Sequence, residues 1–198
     1  MNEPLTDFLA ASRWIDCTNP LVAAKAAELR AGDDDVTGIA RRCYYFVRDE
    51  IAHSRDIGSD VVTLKASDVL REGTGWCFAK SHLLAALLRA NGIPAALCYQ
   101  RLRKDGETFT LHGLNAVYLP EHGWYRCDAR GNKPGVEADF TPPVERLAWS
   151  NFAAGEFDLD GRYADPISAV IRCLSENGSC QQVYDNLPDV TGDLPDAD

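Results

Sequence analysis

Apolar and polar positions follow two different periods along this chain, and the change falls near Pro94. Before it, apolar residues keep helical spacing. In DVTGIARRCYYFVRDEI they recur at Val36, Ile39, Ala40, Cys43, Phe46 and Val47, which predicts one amphipathic helix. In NPLVAAKAAELRAG, Asn19 is placed to cap a helix, Pro20 to begin it and Gly32 to stop it. KASDVLREG reads as a short helix capped by Ser67. The segment GTGWCFAKSHLLAALLRANGIP predicts a helix from just after Gly75 to Asn91, ended by Gly92 and Pro94. Leu83, Leu84, Leu87 and Leu88 cover a wide arc of it, so this helix belongs at the centre of the core.

After Pro94 the period shortens. AALCYQRL is strand-like, KDGE is a hairpin turn, and TFTLHGLNAVYL, PEHG and WYRCDARG read as a second hairpin. DPISAVIRCLSENG returns to helical spacing at Ile167, Val170, Ile171 and Leu174 and stops at Asn177-Gly178. The expected fold class is α+β: an apolar helix packed on an antiparallel sheet, in a single domain over residues 1–188. Residues 189–198, with the sequence DVTGDLPDAD, are expected to be an acidic, disordered tail.

Composition narrows the function. The chain has 198 residues, 45% of them hydrophobic, and a net charge of −10. Nucleic acid and anionic membranes are polyanions, so neither is expected as the main partner. No apolar run is long enough to span a bilayer, and MNEPLTDFLAAS lacks the features of a signal peptide, so a cytoplasmic location is expected. Seven cysteines with no C-x-x-C spacing speak against zinc ribbons and dithiol redox motifs. Most are expected to be small buried hydrophobes.

Cys77 differs, because it follows a Gly-x-Gly turn at the start of the apolar helix. Unsatisfied N–H groups and the macrodipole favour a thiolate there. A thiol nucleophile also needs a base and a group to orient it. His82 is on the same helix but roughly 500° of rotation further on, His122 lies in a turn, and His53 follows a helix end. His112 opens a strand. With a turn at Pro120–Gly123, facing residue numbers add to about 243, which sets Asp128 opposite Asn115 and His112 opposite Gly131. At about 5 Å between strands and about 3.3 Å per residue, a bulge or turn shift would bring Asp128 to His112. Cys77 as nucleophile, His112 as base and Asp128 as orienter are therefore the candidate catalytic residues.

GTGWCFAKSHLLAALLRANGIPA, LHGLNAVYL and GWYRCDARGN also resemble, in that order and spacing, the transglutaminase-like superfamily of papain-related cysteine enzymes. The match covers roughly residues 40–135, with 35 residues from Cys77 to His112 and 16 more to Asp128. The resemblance implies acyl transfer from a peptide, protein or small amide through a thioester, with no organic cofactor. Calcium, used by some animal members, is not carried over, because no EF-hand-like loop is present. The Cys77 backbone N–H would form half of an oxyanion hole. Trp76, Tyr45 and His53 are candidates for substrate contact or for the second donor. Hydrolysis is expected ahead of transamidation. An acetyltransferase is disfavoured by GTGW before the cysteine. A thiol-ligated metal protein ranks lower still, and no metal is expected. The competing class is a catalytically idle, peptide-binding module on the same fold.

Overall fold

In a computed structural model, residues 4–32, 35–150 and 152–189 are described. Pro20–Arg30 form helix α1, with Asn19 accepting from the Leu21 N–H at 3.0 Å. Val36–Tyr45 form α2, capped by Asp35. The helix expected to continue through Ile51 widens instead into a π-helical turn, Phe46–Glu50. Ala52–His53 (β1) and the short helix Ser54–Ile57 (α3) follow. Ala66–Glu72 form α4, and Ser67 is not its cap. Ser67 lies inside the first turn, where its N–H and hydroxyl donate to Asp16 at 3.0 and 2.6 Å. The acidic group thus comes to the helix start from a distant loop.

Thr74–Gly75 form β2, Cys77–Ala90 form α5, and Ala95–Arg103, Phe109–Leu119 and Gly123–Cys127 form β3, β4 and β5. Phe157–Asp158 (β6), Ser168–Ser175 (α6) and Cys180–Asp185 (α7) complete the order. The main sheet is antiparallel, in the order β5-β4-β3-β6, and β1 and β2 make a separate parallel pair. This is the expected α+β arrangement.

Helix α5 is its centre. Thirteen of its 14 residues are buried, as a helix apolar on every side requires. Leu83, Leu84, Leu87 and Leu88 are at most 1% exposed, each stabilising the fold by about 1.5–3 kcal/mol through burial. Gly92, at φ 75°, turns the chain out of α5 towards β3. Buried Arg89 near the helix end donates to the carbonyls of Ala10, Ala95 and Ala164, so its charge is hydrogen-bonded although burial lowers its pKa.

The sheet register departs from expectation by one residue. Leu119 faces Gly123 and Asn115 faces Cys127. A one-residue slip moves every side chain to the other face, and here the change is favourable. Continued past the end of β5, the observed register sets Asp128 opposite Leu114, on the face that carries His112. The expected register would have put it on the opposite face.

The C-terminal segment covers part of the β4 edge that β5 leaves unpaired. The Leu111 N–H donates to the Pro188 carbonyl at 2.8 Å, and Arg101 pairs with Asp189 at 2.6 Å. Asp189 is thus held by the sheet, and residues 190–198 of the expected acidic tail lie outside the described residues.

Candidate active site

Cys77 is the first residue of α5, after Trp76 in extended conformation. Two packing devices fix that helix start. The β1–β2 pair holds the approach, with His53 beside Gly75 and the Ala52 N–H donating to the Gly73 carbonyl at 2.9 Å. On the other side the helix sits directly on β4: a Cβ at Gly113 would lie 2.8 Å from Phe78 Cδ1 and 3.1 Å from Phe78 Cα. Only glycine allows this approach. It places Cys77, the neighbour of Phe78, beside His112, the neighbour of Gly113.

His112 and Asp128 are 4% and 0% exposed, and His112 Nε2 lies 2.8 Å from Asp128 Oδ2. Asp128 also accepts from the backbone N–H groups of Arg130 (3.1 Å) and Ala148 (3.3 Å), while its own carbonyl accepts from the Tyr44 hydroxyl at 3.0 Å. Burial alone would raise the Asp128 pKa, but His112 and these backbone donors lower it. Burial likewise works against a charged His112. Asp128 and then Cys77 overcome it by charge and hydrogen bonding, pushing the imidazole up to about 10. With Nε2 engaged by the carboxylate, Nδ1 is the ring nitrogen left for the thiol.

Cys77 and His112 open into a cavity of about 320 Å³ that His53, Trp76, Arg130 and Trp149 also help to line. The His53 and Trp76 rings meet edge to face at 5.5 Å. Both Trp76 Nε1 and His53 Nδ1 are buried without a hydrogen-bond partner among the described residues. Burial, then the Arg130 charge, hold His53 well below the usual imidazole range, so it is neutral. Tyr45 does not join them. Its hydroxyl donates to Asp139 at 2.8 Å, and it lines a different cavity with Arg48 and Arg146.

Comparison with known proteins assigns the chain to a family. The sequence model of the transglutaminase-like superfamily matches residues 23–129, more than half of the chain. The chain belongs to the transglutaminase-like superfamily. Among solved structures, a Cytophaga hutchinsonii protein provisionally named a cysteine protease shares the fold, with a TM-score of 0.53 and 22% identity over 66% of this chain and 43% of that one. The periplasmic domain of Pseudomonas aeruginosa TgpA, solved with ethylmercury, matches at a TM-score of 0.49 and 22% identity over 64% of this chain and 49% of its own. The transglutaminase-like chain therefore spans less than half the length of either structure. No curated protein matches it in sequence.

Three site features of this superfamily member escaped the sequence reading. Trp149 packs edge to face on His112 at 4.6 Å, and the Gln100 side chain donates to its carbonyl at 3.2 Å. Trp149 sits in a loop without periodicity, so no pattern marked it. Arg130 binds Asp56 with both terminal nitrogens, at 2.5 and 2.9 Å, from just beyond Asp128. Its place two residues after the candidate orienter was the available signal. Lys80, one turn into α5, is 1% exposed and donates to the Ile51 and Arg48 carbonyls. His82 is structural: Nδ1 bonds the Leu64 carbonyl at 2.8 Å, and burial takes its pKa to about 4. Among the described residues, no group of three or more His, Cys, Asp or Glu side chains could hold a metal ion.

Proposed function

We propose that this chain is a thiol enzyme that cleaves amide bonds by acyl transfer to water. Cys77 is the nucleophile, His112 the acid and base, and Asp128 the group that orients the imidazole. The observation that carries the reading is the buried 2.8 Å bond between His112 Nε2 and Asp128 Oδ2, with Cys77 and His112 lining the same cavity.

His112 Nδ1 already holds the proton given up by the Cys77 thiol, and the thiolate attacks the amide carbonyl carbon, whose π electrons move to oxygen. The Cys77 N–H, unpaired at the start of α5, faces the developing charge. For the second donor we favour His53. Its ring lines the same cavity as Cys77 and is held neutral by burial and the Arg130 charge. Collapse of the intermediate breaks the C–N bond, and the leaving nitrogen takes the proton from Nδ1. Water then attacks the thioester while Nδ1 takes its proton, the C–S bond breaks, and the carboxylic acid leaves. Water needs no binding site of its own, so hydrolysis asks less of a cavity of about 320 Å³ than seating a second, amine-bearing chain.

p-Nitrophenyl acetate tests the scheme. The expected result is an acetyl group on Cys77, found by mass spectrometry, and steady release of acetate without added amine. Cys77→Ala and His112→Ala should each lower turnover by about 100-fold or more. Turnover that requires an added amine would assign a transferase. Turnover unchanged in Cys77→Ala would refute the scheme.

A further inference from the structure

The cleft that holds Cys77 is charged oppositely to the chain as a whole. The sequence has 30 acidic and 20 basic residues. Yet Arg55, Arg103, Lys104, Arg130 and Lys133 line the cleft, and Glu156 is the acidic residue lining it. Glu156 is already engaged, since its two oxygens accept from the Arg103 and Ala153 backbone N–H groups at 2.8 Å each. Asp56 holds Arg130 and Lys133 together, so one carboxylate serves two cations.

Arg55 and Lys104 have no such partner. Among the described residues neither makes an ion pair; both rest on the Tyr184 ring, at 3.2 and 4.1 Å from its centroid, and Lys104 Nζ also donates to the Tyr184 carbonyl at 2.5 Å. The Tyr184 hydroxyl donates to Asp105 at 2.6 Å, which puts that carboxylate at the far tip of the ring. Tyr184 thus carries two cations at the cleft rim, and an anion seated there is attracted by both.

We propose that this cleft selects acyl donors that carry a carboxylate close to the bond being cleaved, and that Arg55 and Lys104 draw that carboxylate in. The inference rests on Cys77 being the nucleophile, because that places the scissile bond. A donor of positive charge is turned away by the same rim, so the residues set specificity by repulsion as well as attraction.

The test compares iodoacetate with iodoacetamide as reagents for Cys77, in wild type and in the Arg55→Gln/Lys104→Gln double variant. The two reagents differ chiefly in charge, and the pull of His112 is common to both proteins, so the ratio of the two rates isolates the rim. That ratio should fall by about threefold or more in the double variant, and by a similar factor in wild type at about 0.5 M salt. A ratio unmoved by substitution and by salt would overturn the proposal. Arg55→Gln alone, at an exposed position, repeats the comparison should the double variant fail to fold. Failure of the underlying reading looks different: iodoacetamide itself would then label Cys77 independently of His112, whatever the ratio.

Discussion

At the scale of single residues, the site is defined by charges that burial opposes and neighbours restore. His112 and Asp128 both lie out of water, and each is kept charged by the other. Lys80 is the contrasting case. Burial, reinforced by Arg130, takes its pKa down to about 7 despite three nearby aspartates. An unfolded lysine titrates near 10.4, so between these values the unfolded chain holds more protons than the folded one. Stability contributed at Lys80 therefore rises with pH from about 7 towards 10 and is lowest below 7. Lys80→Met removes this slope while leaving the Ile51 and Arg48 carbonyls without their donor. The expected outcome is a variant less stable than wild type at pH 9.5, with the deficit shrinking by up to about 1.4 kcal/mol per pH unit towards pH 7. Urea denaturation at both pH values checks this, and a deficit independent of pH would contradict it.

At the scale of elements, the decisive contact is α5 on β4. Gly113 is buried under the backbone and ring of Phe78, so Gly113→Ala must push the helix start off the strand. That overpacking costs about 1–3 kcal/mol, and the shift falls on Cys77 and His112 together. Thermal denaturation should show the loss. His112-dependent labelling of Cys77 should fall by about tenfold or more, because small misplacements of reacting groups are costly. A variant that is destabilised but labels like wild type would show that the close approach does not position the thiol.

Much of this element order was legible from periodicity and stop signals: α1, α5 and the hairpins of β3, β4 and β5 lie where those signals put them. The parts that were not legible have local causes. The β1 and β2 strands are two residues each, too short for any period to register. Helix α7 has six residues and follows directly on the stop at Asn177-Gly178. The π-helical turn keeps the apolar pattern of the helix it extends. The one-residue error in register came from counting outward from a turn whose type the sequence does not specify. Cys77, His112 and Asp128 stood out because three blocks occur in order at suitable spacing. Trp149 did not, because its contact with His112 depends on the path of a loop.

At the scale of the whole molecule, an acidic chain encloses a basic cleft, and one of its seven thiols opens into it beside a charged histidine. Burial pushes the other six thiols up, Cys43 and Cys98 to about 12 and Cys173 to about 11. Alkylation at moderate pH therefore reports on Cys77. The most direct test of the account is the pH dependence of Cys77 labelling by iodoacetamide, followed by mass spectrometry, in wild type and in His112→Ala. The account predicts rapid labelling that persists well below the ordinary thiol range, near 8.5, and is lost in the variant. Slow labelling with an ordinary profile, the same in both proteins, would contradict the catalytic pair and leave the chain a transglutaminase-like fold without that chemistry.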